Sequence, residues 1–438
     1  MAFTPTITTV ARATAQTNLL NGIDSRRGFG FEGEQFAELI TDVAPFTAML
    51  LKASRVAVND PDKKYMEHRP SWLTGKTFYA NEAIACSATH TGQSFATIDV
   101  ELTAGGADAV PWLVAAANLP YELQIVDADD STKFCNFLVR TIHSTTNVTL
   151  TQLTDAPGFD VAAEDVINII GTMHPEGGSK TYAFSDKATM RWASTQIFKT
   201  SAKATRTTMK SWVAGGNEWD RIKMEAGDAH GVDIERAFIF GGRYPLAAGA
   251  NDPFGAPVAT AVGGTANAPV RSTVSLQQAS RYADDVGMGG SRVYSITKAT
   301  YTYSDFIDDL ETLFEYGAET RWFFGGRAFL SFLTVMALDE NSGIEQKNMD
   351  VNSFGVKFHE FYTPHGTLKY VVHPLFKGVY TNKAFAVDMD NVEALVFDDT
   401  FVEDVTAVGY DGIEEQYLTD IGLCIKLPEA TVSEWTAI

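Results

Sequence analysis

The 438-residue sequence lacks the features that mark several large classes of protein. Its three cysteines, Cys86, Cys135 and Cys424, are far apart and odd in number, which argues against a disulfide framework or a cysteine metal site and favours reduced, buried thiols in a cytoplasm. The first 20 residues lack the apolar core of a secretory signal. No apolar run is long enough to cross a bilayer, so we expect neither export by that route nor membrane insertion.

Basic residues are also scarce. The 34 Lys and Arg residues stand against 55 Asp and Glu, which gives a net charge of −21. This balance argues against a general nucleic-acid-binding surface, because such surfaces rely on Lys and Arg contacts to phosphates. The hydrophobic fraction of 45% and the charged fraction of 20% are typical of a folded protein. The length suffices for about two to four units with cores of their own.

No dense catalytic constellation is present. The WFFGGR segment at 322–327 could hold a phosphate at a helix N-terminus, but it lacks the Lys-Ser/Thr of a P-loop, so a packing turn is favoured. The GMGGS segment at 287–291 predicts a loop. His359, His365 and His373 lie close together without an HExxH or CxxC motif, and we predict hairpin-tip and strand-surface positions for them.

Adjacent acidic residues could bind Mg²⁺, but neighbouring side chains diverge, so solvated charge is the favoured interpretation. These pairs are Asp129-Asp130, Asp284-Asp285, Asp308-Asp309 and Asp398-Asp399. We therefore expect no catalytic residue, no metal site and no cofactor.

The element around which the chain is organised is a long helix predicted from Glu218 to Phe240, about 34 Å in length at about 1.5 Å per residue. Its apolar face is predicted from residues at steps of three and four, namely Trp219, Ile222, Ala226, Ala229 and Val232. Charged residues fill the opposite face, and Gly241-Gly242 ends the helix. Such a helix, polar on one side and flanked by β-rich sequence on both sides, is predicted to be a strut that lies on other parts of the protein rather than inside them.

The remaining segments differ in periodicity. Residues 1–33 predict an extended arm, and residues 34–52 have helical spacing interrupted by Pro45. Residues 95–171 alternate with period two and predict a small all-β module, a barrel or a sandwich. Residues 244–290 have little periodicity and predict a hairpin or loop that lies on a neighbouring subunit. Beyond them we predict an α/β unit, with a helix capped by Ser304, followed by further strands.

Charge is patterned in two places. Lys199, Lys203, Arg206 and Lys210 fall at steps of four, three and four, which gives a basic stripe if the segment is helical. An acidic stretch lies near the C-terminus and contains Asp388, Asp390, Glu393, Asp398, Asp399, Glu403 and Asp404. Two interpretations remain open: two solvated faces, or complementary edges of identical subunits that fix orientation in an assembly.

Four segments carry a resemblance to a known family: residues 45–50 (PFTAML), residues 195–207 with Asp233-Ile234-Glu235-Arg236 and Gly241, residues 311–333, and residues 417–430. Their order along nearly the whole chain resembles the major capsid proteins of tailed double-stranded-DNA bacteriophages, which have the Hong Kong 97-like capsid fold.

The resemblance implies an α+β fold with named parts. They are an N-arm at 1–33, an N-terminal helix at 34–56, an E-loop region at 57–185 with an inserted all-β module at about 95–171, a P-domain with a spine helix at 186–243, an A-domain at 244–395, and returning strands of the P- and A-domains at 396–438.

The resemblance also implies a structural role and no enzyme activity. The expected protein self-assembles as hexamers and pentamers into an icosahedral shell that encloses DNA without sequence-specific binding. The expected partners are further copies of the chain, a portal protein, a separate scaffolding protein and a decoration protein, and the expected location is the virion after assembly in the bacterial host cytoplasm. The alternatives are a tail-tube or sheath subunit and a soluble hydrolase with an inserted β domain.

Overall fold

The computed structural model describes residues 44–68, 78–80, 97–104, 121–127, 130–142, 147–154, 165–174, 176–177, 188–210, 218–244, 252–256, 264–265, 268–286, 292–338, 345–347 and 359–438. The described residues form two compact units. The main unit contains those up to Tyr65 and from Met190 onwards, and the barrel unit contains those from Met66 to Thr189. The predicted arm at 1–33 lies outside the described residues.

The described helices are α1 (Pro45–Ala53), α2 (Arg206–Lys210), α3 (Glu218–Phe240), α4 (Leu276–Val286), α5 (Tyr303–Phe314), α6 (Arg327–Leu338) and α7 (Pro428–Thr431). None of the helices in this described part of the chain is both long and apolar enough to span a membrane.

The described strands are β1 (Arg55–Ala57), β2 (Asp62–Glu67), β3 (Phe78–Ala80), β4 (Thr97–Ala104), β5 (Tyr121–Val126), β6 (Phe134–Ile142), β7 (Asn147–Gln152), β8 (Val166–Thr172), β9 (Thr189–Ser194), β10 (Gln196–Thr205), β11 (Gly264–Thr265), β12 (Ala268–Pro269), β13 (Val293–Ile296), β14 (Thr320–Gly325), β15 (Glu345–Lys347), β16 (His359–Tyr362), β17 (Thr367–Val372), β18 (Lys383–Val387), β19 (Val392–Asp404), β20 (Gly412–Ile425) and β21 (Val432–Ala437).

The barrel unit is a closed barrel of strands in the order β3-β4-β7-β6-β5-β8. Leu123 and Ile125 on β5 and Phe137 and Val139 on β6 are buried at alternate positions, as expected for strands with one face inward. The alternation at 95–171 predicted a small all-β module, a barrel or a sandwich, and the strands β4 to β8 occupy that part of the chain.

A four-stranded sheet in the main unit has the order β1-β19-β20-β10. β1 is parallel to β19, but it pairs only with residues 394–396, whereas β19, β20 and β10 are long and antiparallel. β10 and β20 pair from Gln196 opposite Ile421 to Thr205 opposite Gly412. α3 packs on one face of this sheet, so the predicted strut is confirmed.

A larger, seven-stranded sheet has the order β13-β21-β18-β14-β17-β16-β15. β14 leads through Gly325-Gly326 into α6, the predicted strand, tight turn and helix. A Cβ at Gly326 would overlap the carbonyl oxygen of Thr381, so only glycine allows the turn to pack this closely against Thr381. α5 and α6 cover a core that includes Phe306, Phe329 and Trp435.

The buried stripe of α3 differs from the predicted apolar face. Ala226 is buried, but Trp219, Ile222 and Val232 are only half-buried and Ala229 is exposed. The buried residues toward the end of the helix are His230, Ile234, Glu235, Phe238 and Ile239. The prediction failed here because it counted only apolar residues, whereas His230 and Glu235 are buried through hydrogen bonds.

Pro45 begins α1, because proline lacks the N–H that a first helical turn leaves unpaired, and the part of the predicted segment at 34–43 lies outside the described residues. Two further predictions need correction. The hairpin or loop predicted at 244–290 contains the short antiparallel pair β11 and β12, but it also contains the helix α4, which was not predicted. α5 is capped by Thr302 rather than Ser304, since Thr302 and Asp305 exchange side-chain and backbone hydrogen bonds in a capping box.

Candidate interaction surface

The eight residues singled out by charge lie on the four-stranded sheet and on α2. Lys199 and Lys203 are in β10, and Arg206 and Lys210 are in α2. Asp398, Asp399, Glu403 and Asp404 are in β19. The helical basic stripe is therefore wrong, because residues 196–205 form a strand whose residues 198, 202 and 204 are buried. A step of four also returns to one face of a strand, so the spacing alone did not distinguish the two structures.

One face of β10 is exposed along its length. Ile197, Lys199, Ser201, Lys203 and Thr205 are all exposed, whereas Phe198, Ala202 and Ala204 on the other face are buried. The described chain therefore leaves the first face open to solvent. We call it the open face.

α3 covers the other face through specific contacts. The Tyr417 hydroxyl donates to the carbonyl oxygen of Lys223 at 3.2 Å, and Lys223 Nζ lies 2.7 Å from Glu415 Oε2. His230 contacts the Thr419 hydroxyl at 2.7 Å and the Thr200 hydroxyl at 3.0 Å. Burial lowers the pKa of His230, and the nearby Asp233 opposes that shift. These bonds fix which face of the sheet remains open.

The register places acidic residues of β19 on the open face as well. Lys199 lies opposite Leu418, which lies opposite Phe401, and Ser201 lies opposite Gln416, which lies opposite Glu403. Asp398 lies opposite Asp420, which is the partner of Ile197. The basic and acidic residues therefore share one face of one sheet, with β20 between them.

The strand β19 changes character at Val396. Its residues up to Val396 are mostly buried, whereas all residues from Phe397 to Asp404 are exposed. The pairing with β20 is irregular between Val396 and Asp398 and again between Asp398 and Phe401. Such bulges bend a strand and change the direction of its side chains. The outer part of β19 thus extends beyond the core, with Phe401 and Val402 among its exposed apolar residues.

Several of the eight residues have ion-pair partners within the chain. Lys203 Nζ lies 3.1 Å from Glu414 and 4.1 Å from the centre of the Tyr410 ring. Arg206 lies 3.6 Å from Asp411, and Arg55 lies 2.5 Å from Asp399. The side chains of Lys203 and Arg206 are 50% and 71% exposed, so each of these pairs contributes at most about 1 kcal/mol.

Asp404 has a local role in the turn between β19 and β20. Its carboxylate accepts hydrogen bonds from the hydroxyl and the backbone N–H of Thr406, and these two bonds lower the pKa of Asp404. Thr406 in turn accepts from the backbone N–H of Glu414 at 2.9 Å. Asp404 lies opposite Glu415, on the face that α3 covers, so it does not belong to the open face.

A buried carboxylate fixes the position of α3 within the main unit. Glu235 accepts from the backbone N–H groups of Phe46 and Thr47, both at 2.8 Å, and from the Thr47 hydroxyl. His373 Nδ1 accepts from Leu375 N–H, so Nε2 carries the proton and donates to Glu235 at 2.6 Å. The carboxylate thus caps α1 and joins it to α3 and to the residue after β17.

The histidines and acidic pairs that the sequence offered as metal or catalytic candidates do not form such a site among the described residues. The prediction of a strand-surface position for His373 is wrong, because the side chain is fully buried against Glu235. Solvated charge is also wrong for Asp309, which is half-buried and accepts from the Tyr301 hydroxyl at 2.5 Å; burial raises the pKa of Asp309. Among the described residues, no group of three or more His, Cys, Asp or Glu side chains could hold a metal ion. The GMGGS segment lies outside the described residues.

β10, the strand that organises this surface, was not predicted from the sequence. Residues 196–205 alternate between exposed and buried positions, and this alternation of Ile197, Lys199, Ser201 and Lys203 with Phe198, Ala202 and Ala204 is visible in the sequence. The alternation was a usable signal, but the prediction gave priority to the spacing of the basic residues.

Solved structures similar to this chain include those of phage capsids. The structure of Mycobacterium phage Bobi is 10% identical, covers 94% of this chain and 97% of its own, and has a TM-score of 0.41. The capsid of a native GTA particle is 9% identical with the same two coverages and a TM-score of 0.44. The capsid of Myoviridae phage XM1 is 7% identical, with coverages of 94% and 98% and a TM-score of 0.42.

No curated protein matches the chain. The profile of one protein family, described as SU10 major capsid protein, matches residues 20–433. That match spans the described helices, the strands β1 to β20 and the open face. The chain therefore belongs to the SU10 major capsid protein family, a family of structural proteins of the virion and not of enzymes.

Proposed function

We propose that this chain assembles as hexamers and pentamers into a closed icosahedral shell that encloses double-stranded DNA. The observation that carries the proposal is the family match over residues 20–433. The net charge of −21 supports a container that holds DNA without binding it tightly, because a protein with excess acidic residues repels phosphate. Assembly takes place in the bacterial host cytoplasm.

The parts of the chain take the roles that the fold of such proteins provides. Residues 1–33 form the N-arm, residues 34–56 the N-terminal helix, and residues 57–185 the E-loop region, with the barrel as an insertion. Residues 186–243 form the P-domain, in which α3 is the spine helix, and residues 244–395 form the A-domain. Residues 396–438 form the returning strands of the P- and A-domains. The packing of α3 on β10 and β20 supports the P-domain assignment.

The proposed partners are mainly further copies of this chain. Lys199, Lys203, Arg206 and Lys210, together with Asp398, Asp399, Glu403 and Asp404, lie where copies meet. The exposure of β10 and of the outer part of β19 supports this placement. A portal protein, a scaffolding protein and a decoration protein complete the proposed assembly.

Electron microscopy of the purified protein tests the proposal. We expect closed shells with icosahedral symmetry, in which rings of six and five copies are resolved after averaging. Helical tubes would instead identify a tail-tube or sheath subunit, because a contact that repeats without closing produces a filament. A single small species under all ionic conditions, with and without a co-expressed scaffolding protein, would contradict both.

A further inference from the structure

The open face carries opposite charges at its two sides, on β10 and on the part of β19 that lies beyond its pairing with β1. β10 presents Lys199 and Lys203, and the outer part of β19 presents Asp398 and Glu403. Among the described strands, β10 pairs only with β20, and β19 beyond Val396 also pairs only with β20. The sheet therefore has a basic edge and an acidic edge, separated by one strand.

These charges are weakly neutralised within the chain. In the described part of the molecule, Lys199, Asp398 and Glu403 form no ion pair. Lys203 pairs with Glu414, but its side chain is 50% exposed. An exposed ion pair of this kind is readily exchanged for another ion pair of similar strength, because water and salt screen both ion pairs. The two edges thus remain available to a partner of opposite charge.

We propose that the basic edge at β10 of one copy lies beside the acidic edge at β19 of the next copy. The inference rests on the proposed function, since it names the contact by which copies form a ring. Opposite charges on adjacent strands are stabilising, whereas like charges are destabilising by similar amounts. Two basic edges or two acidic edges therefore repel, and only the head-to-tail arrangement is favourable.

Apolar side chains beside the charges strengthen this contact. Phe401 is 40% exposed and lies two residues from Glu403, and Ile197 is 49% exposed and lies two residues from Lys199. Both are on the open face, so two edges brought side by side shield them from water. The charges then determine which edges meet, and the apolar residues add affinity.

A contact between two different edges of the same molecule is heterologous, and it closes into a ring when the rotation between copies permits. This arrangement makes a prediction that a self-complementary contact does not make. A copy with reversed β10 has two acidic edges, and a copy with reversed β19 has two basic edges. Each binds only the other, so they alternate around a ring of six, whereas a ring of five forces one contact between like charges.

The experiment uses the full chain in two double variants. One is Lys199→Glu with Lys203→Glu, and the other is Asp398→Lys with Glu403→Lys. We expect each variant alone to give at least about tenfold fewer particles than the wild-type chain, because every edge contact becomes repulsive. An equal mixture is expected to recover six-membered rings, in open sheets or tubes, with at least about tenfold fewer closed shells.

The matched control reverses two exposed basic residues that are not on β10, Arg236→Glu with Lys377→Glu, and it should assemble as the wild-type chain does. Thermal unfolding of each unassembled variant checks that it is folded. Normal particles from either edge variant alone, or no rings from the mixture of folded variants, would overturn the edge contact. The absence of particles from the wild-type chain would instead overturn the proposed function.

Discussion

The carboxylates of Glu235 and Glu403 lie in the same unit and differ in their partners. Glu235 is fully buried and accepts four hydrogen bonds, from α1 and from His373. Glu403 is exposed and, among the described residues, forms no ion pair. Removing a partner from a buried charge leaves it unsolvated, whereas water replaces any partner of an exposed charge. A buried charge that loses its partners thus destabilises the subunit, whereas an exposed charge can exchange its partners at little cost.

The arginines show the same contrast. Arg321 is fully buried, lies 3.0 Å from Asp388, and donates to the carbonyl oxygens of Leu313 and Tyr316 near the end of α5. Burial lowers the pKa of Arg321, and Asp388 opposes that shift. Arg206, in contrast, is 71% exposed beside an equally exposed Asp411. The first arginine joins elements of one subunit, and the second is held only loosely.

The largest effect is expected at Glu235. Glu235→Ala removes the acceptor for α1 and leaves the His373 N–H and two helix N–H groups unpaired, so it should lower the free energy of unfolding by about 3–5 kcal/mol. Denaturant unfolding of the unassembled chain measures this change. The control is Glu225→Ala in the same helix, because Glu225 is 60% exposed and pairs with Arg221; it should cost less than about 0.5 kcal/mol. If both variants lowered the free energy of unfolding equally, the contrast between the buried and the exposed carboxylate would be wrong.

A slightly smaller effect is expected at Arg321. Arg321→Ala leaves the Asp388 carboxylate buried without its cation, and it should cost about 3 kcal/mol. The loss is at the low end for such pairs because Asp388 still accepts from the N–H groups of Ala318 and Asp390 and from the Asn391 amide. The control Arg327→Ala changes an exposed arginine and should be nearly neutral. If Arg321→Ala left the free energy of unfolding unchanged, the contacts of Arg321 would not stabilise the subunit.

An intermediate effect is expected where an exposed carboxylate has strong local partners. Asp305 is exposed, but it accepts from the backbone N–H and hydroxyl of Thr302, and these bonds lower its pKa. Thr302→Ala removes the cap of α5 and should cost about 1 kcal/mol in denaturant unfolding. Thr302→Ser keeps the hydroxyl and serves as the control. A loss above about 3 kcal/mol would mean that the exposure of a charged group does not predict how much its contacts contribute to stability.

The sequence predicted elements with strong local signals. The long helix, the turn at Gly325-Gly326 and most barrel strands follow from periodicity and from glycine, which act within a few residues. The sequence did not predict that Glu235 is buried, because its partners Phe46, Thr47 and His373 lie far away in the chain. Local patterns carry no information about such distant partners, so polar residues were assigned to the surface.

For the candidate interaction surface, the sequence indicated two groups of charged residues but not how they are arranged. The basic and acidic groups were identified from the spacing and clustering of their charges, but the basic group was assigned to a helix. Only the register of β10, β20 and β19 shows that Lys199, Lys203, Asp398 and Glu403 share one face. α3 contacts Tyr417 and Thr419 on the opposite face, so the face with these four residues is the exposed one. Tertiary packing of this kind decides between alternatives that spacing leaves open.

The smallest effect on stability is expected at Lys203. At this residue, the effect on assembly should be the largest in proportion to the effect on stability. Lys203→Ala loses an exposed pair with Glu414 and a contact with the Tyr410 ring, so it should change the free energy of unfolding by less than about 1 kcal/mol. Particle yield at low salt should fall, and added salt should narrow the gap to the wild-type chain, because salt screens the contact in both. Lys377→Ala, an exposed lysine away from β10, should change neither quantity. If Lys203→Ala instead destabilised the subunit by more than about 2 kcal/mol, Lys203 would belong with Glu235 and Arg321, since only a buried or fully partnered charge loses that much.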